Sequence, residues 1–156
     1  PDGGDFGFAD FLARVDAVVM GRKTFEKVLT FGEWPYNLPV FVATTTMRAV
    51  PRGLDGKAAI VSGRPAEIVA TLDSMGYRNL YIDGGWLIQG FLAEDLLDEL
   101  IVTRVPILLG QGIPLFGTLD RPMHFQHLGT EVLNDHLVKS RYRRIRGGAA
   151  VSPFTE

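Results

Sequence analysis

The run Leu80-Tyr81-Ile82-Asp83-Gly84-Gly85-Trp86-Leu87-Ile88 constrains the fold of this chain more than any other stretch. A short run of strand-forming character enters two glycines, and a helical pattern starts directly after them. Glycine at such a junction lets a bound group approach the backbone, because no Cβ stands in the way. The helix start adds unpaired N–H groups and the positive end of the helix dipole, a combination that favours phosphate. A second strand-to-helix junction lies upstream, at Val18-Val19-Met20-Gly21-Arg22-Lys23-Thr24-Phe25-Glu26, with cations and a hydroxyl added. Two such turns point to one extended phosphorylated ligand, such as a dinucleotide.

The rest of the chain alternates in the same way. Phe8, Phe11, Leu12 and Val15 have helical spacing, which predicts a helix over residues 6–15. Strands are expected over 16–20, 40–44, 58–61, 80–83 and 98–106. Helices are expected over 23–29, with Thr24 as cap, over 65–75, with proline near the start, and over 86–91. From His124 onward strands follow one another without helices, and Asn134-Asp135 suits a hairpin turn. Strand–helix units imply parallel pairing, and the final ribbon implies antiparallel pairing. The expected fold is therefore α/β: one mixed sheet, mostly parallel, with an antiparallel C-terminal ribbon and helices on both faces. It spans residues 1–146 as a single domain, and 147–156 read as a flexible tail.

Composition narrows the function classes. A chain of 156 residues with 46% hydrophobic content can bury a sizeable core. Its net charge of −2 gives no sign of a nucleic-acid partner or an anionic membrane. The absence of cysteine excludes disulfides, thiolate chemistry and cysteine-based zinc sites, and fits a cytoplasmic protein. No apolar run reaches membrane-spanning length. The three histidines share no ligand spacing, so no metal is expected.

Each motif has a functional and a structural reading. Gly21-Arg22-Lys23-Thr24 carries only the tail of a P-loop, because Asp16 stands where the earlier glycine belongs; an NTPase is rejected. The four residues either hold phosphates or form a charged, capped turn. Thr44 and Thr45 end a strand with Arg48 close by, which suits a ribose or a 2′-phosphate, or simply a β-branched strand end. Ser62-Gly63-Arg64 ends the next strand in the same manner. Repetition favours a ligand: four successive strands end in Gly, Ser or Thr with Arg or Lys nearby, and in open α/β sheets the ligand crevice lies at those carboxyl ends. Leu109, Gly110, Gln111, Gly112, Ile113, Pro114, Leu115 and Phe116 form an apolar, glycine-hinged loop. It walls a substrate pocket, moves as a lid, or is a buried bulge and turn. Lys139, Arg141 and Arg143 alternate on a terminal strand and read as a solvated edge face.

Three of these motifs, in this order, carry a family resemblance: residues 18–26, Tyr81-Ile82-Asp83-Gly84-Gly85, and 100–103 through 109–116. The chain resembles the dihydrofolate reductase superfamily, and within it the C-terminal reductase domain of the riboflavin-biosynthesis deaminase-reductase. The similarity covers residues 5–145. It implies a dihydrofolate-reductase-like sheet that binds NADPH in extended form. Gly21, Arg22, Lys23 and Thr24 would contact the cofactor phosphates. Thr44 and Thr45 would lie near the adenosine ribose and 2′-phosphate, with Arg22 beside them. Gly84 and Gly85, often joined by a cis peptide in this family, would meet the pyrophosphate, followed by Trp86, Leu87 and Ile88. The family's first strand normally precedes the position of Pro1, so a preceding segment is expected to be missing from this sequence. In folate-reducing members a helix carboxylate stands sixteen residues before the Gly-Arg motif, a spacing that Asp5 matches; Asp5 is thus a candidate proton donor, or a helix cap.

The resulting expectation is a cytoplasmic NADPH-dependent oxidoreductase, forming a homodimer, that passes hydride to a small heterocyclic or carbonyl substrate, similar to 5-amino-6-(5-phosphoribosylamino)uracil reductase. The alternatives are a dihydrofolate reductase and a non-catalytic nucleotide-binding module.

Overall fold

The computed structural model describes residues 4–147. Its elements are α1 (Phe8–Leu12), β1 (Ala17–Gly21), α2 (Arg22–Leu29), β2 (Val40–Ala43), β3 (Ala58–Val61), α3 (Pro65–Ser74), β4 (Leu80–Asp83), α4 (Gly85–Ala93), β5 (Glu99–Arg104), β6 (Phe125–Leu133) and β7 (Leu137–Arg144). They fall into two compact units. Among the described residues the first runs to Leu96 and includes Pro114–Gly117, and the second holds Leu97–Ile113 and the residues from Thr118 on.

In the first unit the four strands are all parallel, in the order β3-β2-β1-β4. β1 lies between two neighbours and under helices, so Ala17, Val18, Val19 and Met20 are all fully buried. That burial on both faces explains the continuous apolar run at 17–20 in place of an alternating one. Side chains still divide by face. Val18, Met20, Val40 and Val42 meet Phe25 and Val28 of α2 in one cluster. Phe41 turns the other way, its ring 5.2 Å from that of Tyr77 just beyond α3. Burying a side chain the size of Phe25 stabilises a fold by about 1.5–3 kcal/mol. α3 and α4 pack together, and Gly90 leaves room for the Pro65 ring.

One polar tie sets how β1 meets β4. The Asp16 carboxylate accepts the N–H groups of Arg78 (2.9 Å) and Asn79 (2.8 Å), and Asn79 Nδ2 at 3.2 Å. Asp16 therefore joins the residues just ahead of both strands, and those N–H donors hold its carboxyl below the usual range.

The second unit is antiparallel, in the order β5-β7-β6. Leu133 pairs with Leu137, and Asn134 and Asp135 make the turn with φ of 47° and 61°. Both residue types tolerate that left-handed region, so the hairpin forms where expected. A register shift at His127/Gly129 marks a bulge in β6.

The expected mixed α/β arrangement is thus present, with the antiparallel ribbon joined by β5 and hydrogen-bonded as a sheet of its own. Other expectations change. α1 contracts to Phe8–Leu12, the turns whose Phe8 and Phe11 rings pack on Tyr81. Thr24 does not cap α2: Gly21 is the cap and Thr24 the third helical residue, because Arg22 and Lys23 are good helix formers and start the helix at once. β7 is the central strand of its sheet, not an edge. Lys139 accordingly pairs across to Glu131 and Arg143 to Glu99, since a central strand brings opposite charges face to face. The expected flexible tail at 147–156 lies outside the described residues except for Gly147. No helix among the described residues is long and apolar enough to cross a membrane.

Candidate functional site

The parallel register builds the site. Gly21 stands beside Ala43, Met20 beside Asp83, and Ala43 beside Val61. Because all four strands run the same way, the junctions that follow them, at Gly21, Thr44, Ser62 and Gly84, come together along one edge. This is the carboxyl-end crevice in which open α/β sheets place ligands.

Two helices open onto that edge without a side-chain cap. α2 begins after Gly21, and α4 after Gly84. The first-turn N–H groups and the positive dipole ends of both are available to an anion. The two junctions also touch. A Cβ placed on Gly84 would lie 2.5 Å from Thr24 Oγ1 and 3.9 Å from the Gly21 nitrogen. Gly84 further adopts φ 101°, a conformation side chains avoid. The sequence joins Gly84 and Gly85 as an equal pair, but the structure separates their roles. Gly84 makes the turn. Gly85 is the first residue of α4, and a Cβ there would meet nothing within 4 Å. The cis peptide implied by the family resemblance is not present: the peptide bonds of the described residues are trans, and the positive φ of Gly84 turns the chain.

α3 behaves differently. Glu67 Oε2 accepts the Arg64 N–H at 2.7 Å, and Glu94 Oε2 accepts the Ala66 N–H at 3.0 Å. Two carboxylates occupy its start, so the Ser62 junction lies on the edge but offers no phosphate cradle. Thr44 Oγ1 accepts from the N–H groups of Thr46 and Met47, each at 3.2 Å, closing its own turn; Thr45 is exposed beside it. Arg22 is exposed and pairs with Glu26 one turn along, at 3.4 Å. Lys23 is exposed as well. Trp86 is 78% exposed at the start of α4, while Leu87 and Ile88 are partly buried.

The expected pocket segment is divided. Leu109, Gly110, Gln111, Gly112 and Ile113 belong to the second unit, where Leu109 and Ile113 are exposed. Pro114, Leu115 and Phe116 belong to the first. Neither part is a buried bulge.

Asp5 sits at the start of α1. One carboxylate oxygen accepts the Gly7 N–H and the other the Ala9 N–H, each at 2.9 Å. Asp5 thus satisfies two N–H groups at the start of α1, whose cap position is Gly7.

A different acid stands at the ligand edge. Asp83 ends β4, directly ahead of Gly84. Burial pushes its carboxyl above the ordinary range, against the pull of the Gly84 N–H and the Tyr81 hydroxyl. Burial, and next the charge of Asp83, also raise the Tyr81 and Tyr36 phenols. Tyr36 packs edge-on against Trp34 (5.6 Å between rings), which in turn meets Phe25 (6.1 Å). The Trp34 Nε1 is shielded there with no acceptor among the described residues. Sequence reasoning read Asp83 as a strand end and passed over it. The available signal was an acid closing an apolar strand immediately before the glycines.

Comparison with known proteins agrees with this arrangement. The sequence pattern of the RibD C-terminal domain matches residues 5–139. A putative riboflavin biosynthesis protein from Shewanella sp. PV-4 has a similar structure, with a TM-score of 0.89 and 48% identity over 94% of this chain and 83% of that one. The uncharacterized protein YwjB of Bacillus subtilis is 35% identical over 132 residues, 82% of this chain and 74% of its own. The diaminohydroxyphosphoribosylaminopyrimidine deaminase/5-amino-6-(5-phosphoribosylamino)uracil reductase of Thermotoga maritima shares the fold, with a TM-score of 0.71 at 14% identity over 93% of this chain and 50% of that one. The chain belongs to the RibD C-terminal domain family, and its fold is that of a reductase-like domain.

Proposed function

We propose that this protein is an NADPH-dependent reductase of a small heterocyclic or carbonyl substrate, of the type of 5-amino-6-(5-phosphoribosylamino)uracil reductase. The observation that carries this reading is the contact of two uncapped helix starts, with Thr24 against Gly84, at the ends of adjacent parallel strands. That arrangement suits the two phosphates of a dinucleotide. Arg22 and Lys23 add mobile positive charge, and Arg22 with Thr45 serves the 2′-phosphate. When bound, NADPH supplies the hydride. The chain's own part is to orient the reactants and to hold a proton near the reacting atom. Asp83 suits that second task better than Asp5. Its carboxyl is half-buried at the ligand edge and burial makes it hold a proton more tightly than a free carboxyl does, whereas both Asp5 oxygens already accept backbone N–H groups. We also propose a homodimer, supported by the exposure of Ile107, Leu108, Leu109 and Ile113 in the second unit.

Fluorescence titration with NADPH and NADH, followed by absorbance loss over a panel of pyrimidine and carbonyl substrates, tests the reading. Charge-assisted bonds to phosphate contribute roughly 1.5–3 kcal/mol. Arg22→Ala should therefore weaken NADPH by about tenfold or more and NADH far less. Equal losses would remove Arg22 from 2′-phosphate recognition. NADPH binding without turnover on any substrate would favour a nucleotide-binding module.

A further inference from the structure

Gln89 lies on α4, one turn beyond the Gly84–Gly85 junction, and none of the roles above uses it. Its side-chain Nε2 donates to the carbonyl oxygens of Pro114 (3.0 Å) and Leu115 (3.3 Å). Its Oε1 lies only 2.8 Å from where a Cβ on Gly117 would stand. One carboxamide thus bonds the start of the segment Pro114–Gly117 and lies close against its end, where Gly117 is the residue type that permits so close an approach. The segment has little else to hold it. Leu115 and Phe116 are 43% and 48% exposed, and no other hydrogen bond reaches 114–117 among the described residues.

We propose that Gln89 is a positioning residue: its carboxamide pins the Pro114–Gly117 strap to α4, so that the strap moves with the helix whose N-terminal turn faces the ligand edge. The chemistry is specific to an amide. The –NH2 group has two protons for two carbonyl acceptors, a leucine of similar size has none, and a carboxylate has none until it is protonated. The pinning stands by itself. The further step, that a ligand at the Gly84–Gly85 turn is felt at the strap, rests on the cofactor reading above.

NMR on the intact chain separates the two parts. In the wild type the backbone amides of Leu115, Phe116 and Gly117 should have order parameters near those of rigid backbone, about 0.85, and Gln89→Leu should lower them below about 0.6. Gln89→Glu should be loose at neutral pH and regain order in acid, as its carboxyl takes up a proton and donates again. A merely space-filling role would give no such pH dependence. Equal rigidity in the wild type and Gln89→Leu, or a pH-independent Gln89→Glu, would overturn the pinning. Addition of NADPH should shift the Leu115–Gly117 resonances in the wild type and leave them unmoved in Gln89→Leu at matched saturation. Unmoved strap resonances in NADPH-saturated wild type would overturn the coupling alone. A wild type that binds no NADPH would sink the cofactor reading and the coupling together, and the order parameters would still decide the pinning.

Discussion

Adjacent residues at the ligand edge carry opposite constraints. Gly84 is held by the fold, with a positive φ and Thr24 Oγ1 in the space a Cβ would need. Gly85 is free of both limits in the protein itself. Gly84→Ala should therefore cost roughly 1–3 kcal/mol of stability, the usual scale of backbone strain. Gly85→Ala should leave the urea midpoint unchanged or slightly raised, since alanine is the better helix former, yet weaken NADPH by crowding the helix start. Paired urea melts and NADPH titrations check both. A Gly85→Ala protein with normal NADPH affinity would move the phosphate site away from α4. Asp83 gives a signature in pH. Its folded-state carboxyl lies above the ordinary value of 3.8, so the folded protein holds that proton more tightly than the unfolded chain. Its contribution is fully present below the unfolded value and is lost as pH rises through the raised folded one. Asp83→Asn should flatten that part of the stability-versus-pH curve. A curve of unchanged slope would show that burial does not perturb this acid.

The helices of the first unit differ in what stands at their starts. α2 and α4 meet the ligand edge with bare N–H groups, whereas Glu67 and Glu94 fill the start of α3. That contrast separates the strand-end motifs whose helix starts are open to an anion from the one already filled by carboxylates. Asp16 works at the opposite end of the strands, fastening the approach to β1 onto the approach to β4. Its carboxyl is held below 3.8, the reverse of Asp83. Its contribution is present above the unfolded value and disappears as pH falls through the lowered folded one. Asp16→Ala should lower the urea midpoint at neutral pH, and the difference from the wild type should shrink as acid protonates Asp16. A constant difference down to low pH would mean that the loss is one of packing rather than of the carboxylate's hydrogen bonds.

At the scale of the molecule, the second unit exposes apolar side chains that a solitary surface rarely carries: Leu108 is fully exposed and Ile113 is 87% exposed. Light scattering should return about twice the chain mass of 17.2 kDa. Leu108→Glu with Ile113→Lys should shift the population to monomer without lowering the helix content. A wild type that stays monomeric at all concentrations would assign those residues to something other than self-association. What the chain determined by itself is local. Hydrophobic period and turn chemistry act over a few residues, so the strands at 40–43, 58–61 and 80–83, the Asn134-Asp135 hairpin and the glycine junctions were all legible. The family motifs added the fold. Tertiary structure decided whatever depends on residues far apart in sequence. Only the packed register shows that Gly84 meets Thr24, that Glu94 reaches the start of α3, and that β7 lies between two partners. Burial likewise lifts the carboxyl of an ordinary-looking Asp83 above the usual range, and folding brings both Asp5 oxygens onto N–H groups at the start of α1. Desolvation and long-range contact arise only once the chain has folded, so no pattern of neighbours along the sequence encodes them directly.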